Sequence, residues 1–388
     1  MQDRRNHHTP LIITRVSSKL DILILTAGFG EGHNSAAENL NLALNARCKS
    51  RCMDPCALGA PFLNDRLRSF YLAVTTHAPW LWRKIYQSTD KQDFSRERLP
   101  MMGKPEQKLE EIIRDLKPRA IVSTYPLYPY FIDRIFQRGI PRVPVFTVVT
   151  DSIEINAAWR KAPTDYWLVT DENTRHRMTL QGLDEASVIE TGFPVHPHFA
   201  DIDPVSADDP LEPFRVLYFP TPKKPHVRRI ANEILNASSD NVNLTIVLGR
   251  NVRKLYRRAQ EIKQKYPGRV KIIGWSKRVP ELLTSHHLVV GKAGGATVHE
   301  SLAAACPMLI HHLVPGQEEG NLNLLKMLNG GHLADSPGEL AAHIREMLSE
   351  NAHDWRAMKR SLSRVARPSA ADTATRFILN NTPEPSNG

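Results

Sequence analysis

The run Gly291-Lys292-Ala293-Gly294-Gly295-Ala296-Thr297-Val298-His299-Glu300, with Pro315-Gly316-Gln317-Glu318 after it, gathers residue types suited to an anionic, hydroxyl-rich ligand. Apolar Leu288-Val289-Val290 runs into glycines, which let backbone N–H groups approach a ligand closely. A helix opening near Ala296 aims its unpaired N–H groups and positive dipole end at the same point. A diphosphate fits there. Thr297 is placed to cap the helix or bind phosphate, and Glu300, one turn further in, to accept from ribose hydroxyls. Gln317 and Glu318 follow the next strand, where an amide and a carboxylate grip sugar hydroxyls. The plain alternative is a tight turn followed by a solvated acidic loop, and short glycine motifs alone do not separate the two.

A second turn sharpens the reading. Asp21-Ile22-Leu23-Ile24-Leu25-Thr26 is a buried-type strand leading into Ala27-Gly28-Phe29-Gly30-Glu31-Gly32-His33. The spacing is G-x-G-x-G-H, which differs from the dinucleotide fingerprint G-x-G-x-x-G. Alternate glycines here imply unusual backbone angles or a close approach. His33 then stands at a helix mouth, where an imidazole takes a proton from a hydroxyl nucleophile, or has no chemical task. Asp151, in Val148-Val149-Thr150-Asp151, ends another apolar run, where open α/β sheets put their ligands. It either orients His33, takes the proton itself, or caps the following turn.

These residues need two frames to hold them. Strands are expected at 20–26, 119–124, 143–149, 165–170 and 187–191, with a short one near Arg51–Asp54, alternating with helices at 33–47, 60–78, 104–116, 127–138 and 172–181. Beyond Gly192-Phe193-Pro194 the rhythm resumes, with strands at 214–219, 242–248, 269–273, 287–291 and 306–311. Helices are expected there at 225–237, 252–265, 278–284, 296–305, 318–329 and 337–350. The pattern is α/β, with two doubly wound, Rossmann-like domains. The first spans 1–196 and the second 197–364, with a helical tail over 365–388.

Taken together, G-x-G-x-G-H-x-x-A-A, then T-D before W, then K-A-G-G-x-T-x-x-E and P-G-Q-E resemble the monogalactosyldiacylglycerol synthase group. That group includes bacterial processive diacylglycerol glucosyltransferases and, more distantly, the lipid-II-forming N-acetylglucosaminyltransferase. The resemblance runs from about Asp21 to Arg364. It implies the GT-B fold, with acceptor on the first domain, UDP-sugar on the second, and the tail crossing back. The implied chemistry is inverting hexosyl transfer to a lipid hydroxyl, diacylglycerol first, without a cofactor or bound metal. His33 matches the family's glycine-loop histidine and is the first choice as base, with Asp151 second; Gly30 and Gly32 lie beside it. Gly294, Gly295, Ala296, Thr297, Glu300, Gln317 and Glu318 fall on the donor motif. Arg250 is a further phosphate-side cation, and Trp275 and Ser276 match the turn that reads the uracil edge.

The chain departs from the pattern at three places. Asn156 stands near a family histidine, with Trp159 retained, which bears on acceptor contacts. His196 replaces an arginine after the G-x-P-[VI] turn, and a partly charged imidazole is a weaker phosphate clamp. The family's glycine-rich loop is here Phe219-Pro220-Thr221-Pro222-Lys223-Lys224-Pro225, whose lysines are placed to supply the missing charge or are merely solvated. A transferase for another lipid or a secondary metabolite, a UDP-sugar epimerase and a non-catalytic UDP-sugar binder remain alternatives.

At 388 residues and 41% hydrophobic, the chain can form two separate cores. No apolar run reaches the roughly 18 residues that span a bilayer, and the basic first residues lack a secretory core. Cys48, Cys52 and Cys56 lack paired zinc-ligand spacing, and the four cysteines give no disulfide framework, which fits a cytoplasmic location. The net charge of +10 carries no nucleic-acid signature. It points to an anionic membrane surface through Pro61 to Gln87, where Phe70, Trp80 and Trp82 lie near Arg83 and Lys84. Ordinary core faces of two helices are the alternative. The expectation is peripheral attachment to a membrane.

Overall fold

The computed structural model describes residues 20–90, 92, 94, 100–221, 224–237, 241–316 and 318–384, without the side chains of 100, 224–226 and 251. In the first half, apolar runs form a six-stranded parallel sheet: β1 (Ile22–Leu25), β2 (Ser50–Met53), β3 (Ala120–Ser123), β4 (Val145–Val148), β5 (Tyr166–Val169) and β6 (Val188–Glu190). β1, β3 and β4 are buried at every position, as a sheet covered on both faces requires. The order is β2-β1-β3-β4-β5-β6. Direction therefore reverses between β1 and β3, and the loops after them open the crevice where such sheets bind ligands.

Among the described residues this half carries eight α-helices: α1 (Glu31–Asn45), α2 (Pro55–Gly59), α3 (Pro61–His77), α4 (Pro79–Thr89), α5 (Gly103–Leu116), α6 (Tyr128–Gln137), α7 (Ala157–Arg160) and α8 (Glu172–Leu180). Pro61 and Pro79 open α3 and α4, where a missing N–H and a fixed φ favour the first turn. These two form a hairpin that stands off the sheet, and α4 buries no residue fully.

The second sheet joins β7 (Phe214–Tyr218), β8 (Val242–Val247), β9 (Val270–Ile273), β10 (Leu288–Lys292), β11 (Met308–His312) and β12 (Gly331–Leu333) in the order β12-β11-β10-β7-β8-β9, all parallel. Its switch point lies between β7 and β10, beside the second glycine turn. The helices are α9 (Lys224–Asn236), α10 (Val252–Lys265), α11 (Val279–Ser285), α12 (Gly295–Ala303), α13 (Glu319–Met327), α14 (Pro337–Val365, broken at 349–352) and α15 (Ala370–Asn380). α15 lies against α1 and the first sheet. Arg47 pairs with Asp372 at 2.5 Å, and the Phe377 ring meets Tyr166 and Phe146 at 5.1 and 6.3 Å.

The carboxyl ends of the two sheets face each other. An added Cβ on Gly295 would stand 2.8 Å from the Thr150 carbonyl oxygen, and one on Gly320 1.9 Å from that of Ser152. Only hydrogen fits at either position. Behind this contact Ser152 Oγ meets His299 Nε2 at 2.9 Å, and His299 stacks on Phe193 at 4.9 Å.

Candidate active site

The first glycine turn contains no left-handed residue: Gly28, Gly30 and Gly32 lie outside the positive-φ set, and Gly30 is extended at φ −169°. Of the two reasons for glycine read from the sequence, unusual angles do not apply. Nor does close approach within the protein, since a Cβ on Gly28, Gly30 or Gly32 would make only ordinary contacts at 3.6, 3.5 and 4.0 Å, the last with the Ala296 nitrogen across the cleft. Asp54 fixes the turn from below. Its Oδ2 accepts from Gly28 N–H at 3.0 Å and its Oδ1 from Tyr128 O–H at 3.2 Å.

This turn delivers His33 on the first turn of α1, buried against the edge of Tyr125 at 5.5 Å and Trp159 at 5.8 Å. Its Nδ1 lies 3.0 Å from Thr150 Oγ1, and burial pushes its pKa down to about 4. Asp151, just past β4, accepts through Oδ2 from Trp159 Nε1–H at 2.9 Å. Burial raises its pKa to about 6, against the Trp159 bond and with help from the Glu318 charge. The two groups come together in one cleft, but Thr150, not Asp151, orients His33. Nδ1–H donating to Thr150 leaves Nε2 with its lone pair; the opposite tautomer does not.

Two cavities meet here. One, of about 300 Å³, lies between the glycine turns and is lined by Gly28 to His33, Thr150, Asp151, Lys292, Gly294 to Thr297, Glu318 and Asn321. Helix α12 opens with Gly294 as an N-cap that offers no side-chain bond, so its first N–H groups face this space. Thr297 does not cap. It lies inside the first turn, its methyl 3.6 Å from where a Gly291 Cβ would be. Lys292, inside the quoted motif but given no role from sequence, reaches Glu318 Oε1 at 2.6 Å. Burial works against that ammonium and Glu318 outweighs it, holding its pKa above the ordinary range. Glu318 Oε2 accepts from Val314 N–H at 2.9 Å, so both its oxygens are engaged. Asn321 donates to Ala293 O at 3.0 Å and leaves a buried Oδ1 without a partner.

The remaining donor-side residues stand outside that lining. Glu300 is half-buried without a hydrogen-bonding partner among the described residues, and burial pushes its pKa up to about 7. Trp275 is exposed, with Lys277 Nζ 5.9 Å over its ring, and Ser276 Oγ accepts from Arg278 N–H at 3.0 Å. Arg250 reaches Glu31 at 3.4 Å across the cleft rim. His196 corrects its sequence reading as a phosphate cation. Its Nδ1 accepts from His198 N–H at 3.2 Å as a helix cap, and burial and His198 lower its pKa. A lone pair spent on a cap favours the neutral ring. Gln317, Lys223 and the Lys224 side chain lie outside the described residues.

The second cavity, of about 250 Å³, runs between the α3–α4 hairpin and the first sheet. It shares Phe29, His33, Tyr71 and Asp151 with the first, and adds Trp82, Tyr86, Phe94, Tyr125, Asn156 and Trp159. Asn156 caps α7 through Ala158 N–H at 2.9 Å and ties it to the hairpin through Tyr86 O and Thr89 Oγ1, both at 3.2 Å. Trp82 corrects its expected outward place: it turns in, edge-on to Tyr71 at 4.8 Å. Phe70 and Trp80 are exposed, as is Phe62, with Arg66 4.3 Å over the Phe62 ring and Lys84 5.6 Å over that of Trp80. Sequence reasoning gave no role to Thr150, Lys292, Tyr71, Tyr86 or Asn321. Lys292 and Thr150 lay inside the quoted motifs and Tyr71 and Tyr86 inside the Pro61 to Gln87 segment, while Asn321 had no signal.

Residues 33–195 match the model of the Monogalactosyldiacylglycerol (MGDG) synthase family. The processive diacylglycerol beta-glucosyltransferase of Bacillus subtilis (strain 168) is 22% identical over 340 residues, covering 85% of this chain and 87% of its own. The chloroplastic monogalactosyldiacylglycerol synthase of Spinacia oleracea is 25% identical over 384 residues, 93% of this chain and 72% of its own. Among solved structures, Acinetobacter baumannii MurG superposes with a TM-score of 0.61 at 14% identity, over 93% of this chain and 99% of that one. With two facing six-stranded parallel sheets, and relatives that run through both, the chain has the GT-B fold and is similar to the monogalactosyldiacylglycerol synthases and the processive diacylglycerol glucosyltransferases.

Proposed function

We propose that this protein transfers a hexose from a UDP-sugar, with inversion, to the hydroxyl of a neutral glycerolipid, diacylglycerol first. One observation carries the reading: a polar cavity under a helix N-terminus and an aromatic cavity meet at His33 and Asp151. The diphosphate belongs against Gly294, Gly295 and Ala296, where free N–H groups and the Lys292 ammonium hold the charge that grows as the glycosidic C–O bond breaks. Glu300 suits the ribose hydroxyls, and Trp275 the uracil side.

The acceptor hydroxyl enters from the aromatic cavity and attacks the anomeric carbon opposite the diphosphate. UDP leaves with the electron pair, and the hydroxyl proton goes to Asp151 Oδ1, the carboxylate oxygen that Trp159 leaves free. Asp151 is preferred over His33 as base because burial makes the carboxylate the more basic of the two, at about 6 against about 4. A base close to the working pH transfers protons most effectively. His33 then serves as a neutral imidazole held by Thr150, lining the acceptor's path.

Membrane attachment falls to exposed Phe62, Phe70 and Trp80 with Arg66 and Lys84, spread along the hairpin that walls the aromatic cavity. No helix among the described residues is long and apolar enough to cross a bilayer. UDP release is the test, measured across UDP-sugars with and without diacylglycerol vesicles. Release that depends on vesicles and yields glycolipid supports the reading. Turnover with donor alone would favour an epimerase or hydrolase, and tight UDP binding with no release a sensor.

A further inference from the structure

We propose that Trp82 and Tyr86 select an acceptor that carries ester carbonyls, by donating hydrogen bonds to them inside the aromatic cavity. The inference rests on the lipid-transferase reading above and adds a specificity to it. Trp82 Nε1 and Tyr86 Oη are both buried polar atoms without a partner among the described residues, and both residues line this cavity. Buried donors are nearly always satisfied, and two orphans in one pocket call for a ligand that supplies the acceptors. They stand one turn apart on α4, so the side chains share a face. Among the described residues the lining holds no lysine or arginine and one carboxylate, Asp151, a setting that suits an uncharged molecule as the source of the acceptor atoms.

An indole N–H gives and cannot accept. Its natural partner is a carbonyl oxygen, which has two exposed lone pairs, and Tyr86 O–H can serve a second one or the same. An ether-linked glycerolipid offers only a crowded, weakly accepting oxygen at that place. A site built to hydrogen-bond a group rejects the analogue lacking it far more strongly than an apolar pocket rejects a missing methylene.

The experiment compares dihexanoylglycerol with its diether analogue, dihexylglycerol, in the wild type and in Tyr86→Phe and Trp82→Phe. Binding is read by calorimetry and transfer by UDP release. The wild type should prefer the ester by about ten- to a hundredfold, and each variant should lose most of that preference, read as the ester-to-ether ratio. A change confined to the ester-to-ether ratio is not produced by a loosened fold, which would weaken both acceptors alike. Equal use of ester and ether by the wild type, or an unchanged ratio in both variants, overturns the proposal. Ester-selective binding without any sugar transfer would leave the recognition standing and sink the transferase reading instead.

Discussion

Burial acts on Asp151 and His33 in opposite directions, and that makes the base assignment measurable. A carboxylate works as base when ionised, so kcat/KM should fall as the pH drops through about 6, the value to which burial raises Asp151. With His33 as base the acid limb would lie near 4. A pH–rate profile decides between them. Asp151→Asn should cost about two to four powers of ten in transfer and leave UDP affinity unchanged. Glu300 exposes a different trade. Its pKa is raised to about 7, so the unfolded chain ionises this group first, and stability falls as pH rises from the ordinary carboxylate range to that value. Glu300→Gln should therefore unfold at higher urea at pH 8, by about 1–3 kcal/mol, with no gain at pH 4. The same variant should bind UDP about tenfold or more weakly in calorimetry. A carboxylate that destabilises the empty fold and strengthens the complex is one kept for its ligand.

The elements were legible where burial leaves a simple mark. Ile22–Leu25 is continuously apolar and became a central strand, and the glycine turns appeared at the ends of β1 and β10. β12 was missed because Gly331–Leu333 is three residues with a histidine in the middle, too short for any period to show. Trp82 was misplaced for another reason. Trp80 and Trp82 look alike in the sequence, and only the turn at Ala78–Pro79 decides which ring faces the cavity. His196 needed a hydrogen bond, not a pattern, to reveal its role. Between elements, tolerance is nil where the domains touch. Gly320→Ala would place a methyl 1.9 Å from the Ser152 carbonyl, backbone against backbone. Each half should keep its fold while the cleft is forced open. Solution scattering should show a larger radius of gyration, and transfer should drop about a hundredfold with UDP affinity kept, since a misplacement near 1 Å costs that much.

The whole molecule is strongly basic, +10 overall, and exposed Phe62, Phe70 and Trp80 lie on the α3–α4 hairpin with Arg66 and Lys84 over two of the rings. Phe70→Ala combined with Trp80→Ala should cut cosedimentation with anionic vesicles severalfold and leave UDP binding alone. Wild-type binding should weaken as salt rises, because exposed charges are screened beyond about 10 Å at 0.1 M. Binding that ignores both changes would remove the hairpin from the membrane. The tail bears on how the molecule is made. Ala374 and Ile378 of α15 are fully buried in the core that holds Ile22, Val122 and Phe146. The first domain is translated before α15, yet its core cannot close until α15 emerges. During synthesis the second domain can complete itself while the first still shows an open apolar seam along α1. A premature stop before Ala370 should therefore leave that seam uncovered and spoil the half that had already been translated.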